Sequence, residues 1–304
     1  MVTKETCGDL TWIDMDSPTK EDISLLVKEY SIHPLVAEEL LSPTVRPKVD
    51  VYDNLIYLIL HFPTISRPHG GAQEQEIDFI VGKKFFVTVH YGAIDSLASS
   101  SKRFNINALL KKCGDGEHGG LLFFYLIKEL YEDLVYDLEA IGKELEKIEN
   151  NIFRGKEHQM VRHISEVNRT LLHFRKAISQ HKHVLESFER AGERFFGKDF
   201  SYYLHAIVGE YYKVASLLEI SGDVLRELKT TNDSLLTTKT NDVMKALTVM
   251  AFIMLPLTLF TSLFSINTEY LPLVAKENSF WLIIGGMVIL ASVLLSYFKY
   301  KKWL

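Results

Sequence analysis

The sequence has few cysteines, no excess of basic residues and no apolar segment at its start. Only two cysteines, Cys7 and Cys113, occur in 304 residues, and neither lies in a CxxC or Cys/His spacing. Neither a disulfide framework nor a zinc finger is therefore predicted, and both cysteines are interpreted as buried and unreactive. Acidic residues outnumber basic ones by 39 to 34, which argues against a nucleic acid as partner. Residues 1–12 lack the apolar core of a secretory signal.

The common signatures of enzymes are also missing from the sequence. The Gly-rich segment 113–120 does not end in the GK[ST] of a phosphate-binding loop, and no HExxH motif or Ser/His/Asp order occurs. His33 and His90 lie beside predicted secondary structure without a nucleophile in the surrounding sequence. A non-enzymatic function is predicted.

The end of the chain contains two long uncharged segments. Residues 246–268 form an uncharged run of 23 residues, and residues 278–298 form a second run of 21. A helix needs about 20 apolar residues to cross a bilayer. The pattern therefore predicts a transmembrane hairpin, with residues 269–277 as its loop and residues 299–304 as a basic tail.

Most of the lysines around this hairpin lie before its first span and after its second. Lys239 and Lys245 precede the first span, and Lys299, Lys301 and Lys302 follow the second. By the positive-inside rule both termini lie in the cytosol, and the acidic domain before the hairpin lies there too. The predicted location is the cytoplasmic membrane, with the lipid bilayer as a partner, and on composition alone the hairpin could equally serve as a simple anchor.

One face of the first span carries small and polar residues. If the preceding helix continues into it, helical spacing aligns Asn241, Met244, Leu247, Ala251, Leu255, Thr258, Ser262 and Ser265. Such a stripe suits either close helix packing or a narrow water-filled pore. Because two helices cannot enclose a pore, a pore requires a homo-oligomer. Pro256 in the middle of the span also favours a bundle, where neighbours compensate for the lost hydrogen bond.

The rest of the chain is predicted to be an α+β cytosolic domain followed by long helices. Within residues 1–120, alternating patterns predict strands at 10–14, 49–52, 55–62, 76–81 and 84–90. Thr19 with Asp22 predicts a helix start, and residues 33–41 a second short helix. Residues 121–199 are predicted as long antiparallel helices, one over 121–156 and one over 157–193.

Residues 200–268 are predicted to form one stalk helix that is continuous with the first span. A heptad pattern supports this prediction. Its a positions are Leu204, Tyr211, Leu218, Leu225 and Asn232, and its d positions are Ile207, Val214, Ser221, Leu228 and Leu235. Asn232 and the polar run 230–241 are expected to make the inner surface below the bilayer polar.

Five histidines lie in the long helices and invite a metal-sensor hypothesis. They are His158, His163, His173, His181 and His183. Because they fall on charged helical segments without a nearby cysteine, solvent exposure is predicted for them instead.

Residues 239–272 and the terminal YFKYKKWL resemble the membrane hairpin of the CorA family of divalent-cation channels. In that family the first span ends in P-L-T, then six residues, then Gly-Met-Asn, an acidic residue and a proline. Here Pro256-Leu257-Thr258 leads without a gap to Ser265-Ile266-Asn267, Glu269 and Pro272. The segments 46–61 and 85–90 are similar, less specifically, to the family's cytosolic domain.

The resemblance implies a homopentamer whose first spans line a Mg²⁺ pore gated by the cytosolic domain. It implies a selectivity filter at Ser265, Ile266, Asn267 and Glu269, with Asn267 contacting the hydrated cation and Glu269 concentrating cations. Met244, Leu247 and Leu255 match the hydrophobic gate, and Asn241 and Thr258 match polar steps. It also implies Mg²⁺ as a regulatory ion, without assigning its cytosolic ligands in this sequence.

The filter motif departs from the family pattern, since Ser-Ile-Asn replaces Gly-Met-Asn. ZntB proteins, a zinc-transporting branch, carry Gly-Ile-Asn, so Ile266 alone leans toward Zn²⁺. The favoured prediction is a Mg²⁺ channel that also passes Co²⁺ or Ni²⁺. A ZntB-like Zn²⁺ transporter and a non-conducting membrane scaffold or sensor stay open as alternatives.

Overall fold

A computed structural model of the chain describes residues 1–44, 46–64, 73–92, 118–265, 279–301 and 303. These residues divide into two compact units, Met1–Lys229 and Thr230–Leu304. Cys113 lies outside the described residues, as does most of the Gly-rich segment before residue 118.

The first unit contains a six-stranded mixed sheet. Its strands are β1 (Val2–Cys7), β2 (Leu10–Asp16), β3 (Lys48–Val51), β4 (Leu55–Thr64), β5 (Gln73–Gly82) and β6 (Phe85–His90). Their order in the sheet is β1-β2-β6-β5-β4-β3. Only the central β2–β6 pairing is parallel, and the other neighbours are antiparallel. The predicted strands are confirmed within a few residues, and the α+β class is confirmed.

Helices cover both faces of this sheet. They are α1 (Lys20–Tyr30) and α2 (Pro34–Glu39) on one side, and α3 (Gly119–Phe153), α4 (Glu157–Ile178) and α5 (His181–Phe196) on the other. Thr19 caps α1 as predicted, because its hydroxyl accepts from the Asp22 amide while the Asp22 carboxylate accepts from the Thr19 amide. His33 caps α2 through Nδ1, which accepts from the Leu35 amide.

The sheet core separates into two apolar layers. Ile13, Tyr57 and Val87 belong to the layer beneath α1 and α2. On the other face, Phe79 and Phe86 contact Phe123 of α3 edge-to-face, at ring-centroid distances of 5.3 and 6.4 Å. Because every interior strand is covered on both faces, residues 55–62 are apolar throughout apart from His61 and do not show a simple alternation.

The single helix predicted over residues 157–193 is wrong in one respect, since it divides into α4 and α5 at Ser179 and Gln180. The Ser179 hydroxyl donates to the Lys176 carbonyl over 2.8 Å and caps the end of α4. The break positions His181, which is fully buried at the start of α5. The prediction that His181 is solvent-exposed is therefore also wrong, whereas His158, His163 and His183 are exposed and His173 is half-buried.

A 3₁₀ turn, Lys198–Phe200, leads into α6 (Ser201–Ser265), a helix of 65 residues that continues through Pro256. The last helix is α7 (Ser279–Tyr300). Eight of the heptad positions in α6 are buried, and only Tyr211 and Leu235 are half-buried. Asn232 is 1% exposed, so the prediction that it makes an inner surface polar is wrong, and the residue follows the heptad instead.

Candidate ion-conduction site

Two helices of the chain, α6 in its last third and α7, are long and apolar enough to cross a membrane by length and composition. Both lie in the second unit, where they pack against each other through aromatic and small residues. Phe252 and Phe298 have ring centroids 6.1 Å apart, and Phe260 lies close to Gly286. Val249, at 3% exposed, is the most deeply buried residue of this contact.

The predicted pore stripe lies on the opposite side of α6 from this contact. Six of the less exposed residues of the span follow one helical face, namely Val249, Ile253, Pro256, Leu257, Phe260 and Phe264. All eight residues of the predicted stripe are exposed in the chain. The helix therefore uses one face within the hairpin and leaves the stripe available to other copies, lipid or water.

Hydroxyl groups within the span are hydrogen-bonded to the helix itself. The Thr258 hydroxyl donates to the Met254 carbonyl over 2.8 Å, and Thr248 does the same to Met244. Each hydroxyl has thereby used its only proton, so its oxygen is left as an acceptor. On the exposed stripe, Thr258 can accept from a water molecule but has no proton to donate to one.

Near the start of the span, the charges at the membrane boundary are paired. Lys245 Nζ lies 3.4 Å from the Asp242 carboxylate, and both side chains are more than half exposed. Asn241 and Met244 lie on the same stretch of α6 and are exposed. This boundary therefore carries no net local charge from its ion pair.

Ser265, the first residue of the predicted filter, is the last described residue of α6 and is exposed. Ile266, Asn267 and Glu269 lie outside the described residues, so their role stays a prediction. Within the described ranges, no three His, Cys, Asp or Glu side chains gather closely enough to hold a metal ion.

The contact face of α6 was not identified from the sequence. Its signal was present in Val249, Ile253, Leu257, Phe260 and Phe264, which recur every three to four residues opposite the polar stripe. In a span that is apolar on all sides, this periodicity is weak, and the polar stripe was the clearer pattern.

The chain thus combines an α+β domain with a 65-residue helix and a second apolar helix, the latter two carrying its candidate membrane spans. The family model described as CorA-like Mg²⁺ transporter protein matches residues 8–301. The chain therefore belongs to the CorA-like Mg²⁺ transporter family, which is a family of transporters rather than of enzymes.

Individual relatives agree with this assignment. The cobalt/magnesium transport protein CorA of Thermotoga maritima is 28% identical over 297 residues, which cover 97% of this chain and 83% of the relative. The solved structure of the CorA magnesium transporter from Methanocaldococcus jannaschii superposes with a TM-score of 0.82 at 21% identity, covering 97% of this chain and 92% of that one. The ZntB cytoplasmic domain from Vibrio parahaemolyticus has the same fold in part, with a TM-score of 0.60 at 12% identity and coverage of 75% and 88%.

Proposed function

We propose that the protein is a channel for hydrated divalent cations, with Mg²⁺ as its main ion and Co²⁺ or Ni²⁺ as further ions. The observation that carries the proposal is membership of the CorA-like family over residues 8–301. The Thermotoga relative, named a cobalt/magnesium transport protein, supports the same ions. The pore is formed by several copies of the chain, five if the family pattern holds, in the cytoplasmic membrane with both termini in the cytosol.

The chemistry of the exposed stripe suits a cation that keeps its water shell. Mg²⁺ loses its waters reluctantly, and bound waters point their hydrogens outward. Thr258 presents an acceptor oxygen to such a shell because its proton is already used. The amide oxygen of Asn267 offers a second acceptor at the outer end, and Glu269 attracts cations by charge.

Apolar residues on the same stripe supply the gate. Met244, Leu247 and Leu255 are exposed large side chains, and rings of such residues close a narrow pore by excluding water. Because α6 contributes residues to both units, one helix carries a change in the cytosolic domain to the pore. We further propose that cytosolic Mg²⁺ regulates this gate, through ligands that are not assigned here.

A ZntB-like Zn²⁺ transporter is the second candidate. Ile266 matches the Gly-Ile-Asn of that branch, and the fold of the first unit is shared with a ZntB cytoplasmic domain. A scaffold that has kept the architecture but does not conduct is the third, since Ser265 replaces the glycine of the motif.

Uptake of Mg²⁺, Co²⁺, Ni²⁺ and Zn²⁺ into proteoliposomes separates these candidates. The proposal predicts Mg²⁺ uptake that Asn267→Ala abolishes and that the control Ser292→Ala, at a helix-bonded hydroxyl of α7, leaves intact. Uptake of Zn²⁺ alone would move the protein to the second candidate. The mass of the detergent-solubilised complex tests the oligomer, and a monomer or dimer would contradict the pore.

A further inference from the structure

Strand β5 carries two acidic side chains on one face of the sheet, Glu76 and Asp78. The antiparallel register places Asp78 opposite Ile59 and Glu76 opposite His61 of β4. Asp78 has no exposed surface, and Glu76 is also buried. An ionised carboxylate in such surroundings is unfavourable unless donors or a cation compensate for the lost water.

The two carboxyl groups differ in the hydrogen-bond donors that surround them. Glu76 accepts from the Thr44 amide at 2.6 Å and from the Thr44 hydroxyl at 3.2 Å, and it lies 3.2 Å from His61 Nε2. Asp78 Oδ2 accepts from the hydroxyls of Tyr57 and Tyr91 at 3.1 and 3.2 Å. Asp78 Oδ1 is buried and has no donor among the described residues.

No described cation is available to compensate Asp78. Lys48 Nζ lies 5.4 Å from the centroid of the Tyr57 ring, but it pairs with Glu39 at 2.7 Å and Asp50 at 2.6 Å. His61 Nε2 is divided between Glu76 and the Thr44 carbonyl, at 3.2 and 3.1 Å. Glu39, the acidic partner of Lys48, acts by its charge on both tyrosines that donate to Asp78.

We propose that Glu76 and Asp78 form a proton-binding site of the cytosolic domain, in which one proton sits on Asp78 Oδ1 and is donated to the Glu76 carboxylate. The contacts of both carboxyl groups fit this arrangement. Three donors already bond to Glu76, two tyrosine hydroxyls donate to Oδ2 of Asp78, and Oδ1 has no partner among the described residues. Glu76 and Asp78 are alternate residues of β5, so their side chains are neighbours on one face of the sheet.

The direction of titration agrees with the geometry. Burial raises the pKa of Asp78 to about 8, and the charge of Glu76 acts in the same direction. Burial and Asp78 also raise the pKa of Tyr57 and Tyr91 well above the usual range, so both hydroxyls remain donors. Loss of the proton leaves two adjacent carboxylates inside the sheet, which loosens the contact between β4, β5 and Tyr91.

The pH dependence of thermal unfolding of the full-length protein in detergent tests the site. Between the unfolded pKa near 4 and the folded pKa near 8, the folded domain binds one proton more than the unfolded chain, so the Tm falls as pH rises from about 4 to about 8 and levels off above that. Asp78→Asn, which mimics the protonated acid, is expected to remove this fall. The control Asp50→Asn, at a carboxylate paired with Lys48, should keep it. Parallel profiles for the parent and Asp78→Asn would overturn the proposal.

Two further measurements keep the test decisive if Asp78→Asn does not fold. Tyr91→Phe removes a hydrogen-bond donor to the ionised Asp78 carboxylate. The pH at which the Tm stops falling should therefore rise by about one unit. Infrared spectra of the parent should show a protonated carboxylic acid band at about pH 6 that is lost by about pH 10. If Tyr91→Phe leaves that pH unchanged, the proposal of a shared proton is contradicted. A parent spectrum without the carboxylic acid band would contradict it as well.

Discussion

The ring nitrogen Nε2 of His181 donates to the backbone carbonyl oxygen of His61 over 2.8 Å. Because a carbonyl only accepts, this bond fixes the proton on Nε2, and Nδ1 accepts from the Tyr131 hydroxyl at 2.7 Å. The fully buried imidazole thus joins α5 to β4 and α3. It also faces Phe62, with ring centroids 5.1 Å apart.

This arrangement predicts acid sensitivity of the cytosolic domain. Burial lowers the pKa of His181 to about 4, so between about pH 6.5 and 4 the folded state binds fewer protons than the unfolded chain. The free energy of unfolding should fall by about 3 kcal/mol when the pH is lowered from about 6.5 to about 4. His181→Gln should show a shallower fall in denaturant titrations, whereas His183→Gln, at an exposed position two residues away, should behave as the parent.

His90 should make the stability of the same domain depend on pH in the opposite direction. Burial alone would lower its pKa, but the hydrogen bond and charge of Asp14 and the charge of Asp16 raise it above the usual value. The imidazole lies 3.6 Å from Asp14 and 3.7 Å from Asp16, at the ends of the parallel strands β2 and β6. Its contribution to stability is present below about pH 6.5 and is lost as pH rises through the folded pKa.

Replacement of His90 by Gln should therefore reduce stability at about pH 6 more than at about pH 9. Denaturant titrations at both pH values give the two differences. An equal loss at both would mean that His90 acts by packing and not by its charge.

Gly119, the first residue of α3, lies where a side chain would clash with the backbone. A Cβ on Gly119 would lie 2.4 Å from the Phe85 carbonyl oxygen and 2.5 Å from that of Gly82. Both obstacles are backbone atoms, so Gly119→Ala should lower the free energy of unfolding by about 2 kcal/mol or more. Gly142→Ala on the same helix meets no atom within 4 Å. That control should raise stability by about 0.5–1 kcal/mol through helix propensity.

Within the proposed pore, Thr258 is expected to contact the water shell of the cation. Thr258→Val keeps the shape of the side chain but removes the acceptor, and should reduce Mg²⁺ uptake roughly fivefold, the equivalent of one hydrogen bond of about 1 kcal/mol. Ser292→Ala removes a similar helix-bonded hydroxyl from α7 and should leave uptake unchanged. Equal effects of the two variants would exclude a specific contact at Thr258.

Much of the fold could be predicted because the signals were local. The capping pair Thr19 and Asp22, the apolar run of β4 and the heptads of α6 each depend on near neighbours in the sequence. Strand β1 was not predicted because it is an edge strand whose residues 2–6 are exposed or only half-buried, so its sequence shows no apolar alternation. The break before His181 was not predicted, and the bond that His181 forms there, to the His61 carbonyl, joins residues 120 positions apart.

The two candidate sites also differ in how far they could be predicted from the sequence. The proposed pore stripe could be recognised in the sequence because it follows helical spacing, and its role stays a prediction. Asp78 was not identified, although one acidic residue inside the apolar run IDFIV is a visible exception. Its environment comes from Tyr57 and Tyr91, which only the sheet register brings to it.

Mg²⁺ influx into proteoliposomes that contain the purified full-length protein and an internal Mg²⁺ indicator tests the central claim most directly. The account predicts saturable influx that requires the protein and that Asn267→Ala removes. Absence of Mg²⁺ influx, from a complex shown to be intact and with cytosolic-side Mg²⁺ removed to favour the open state, would contradict it.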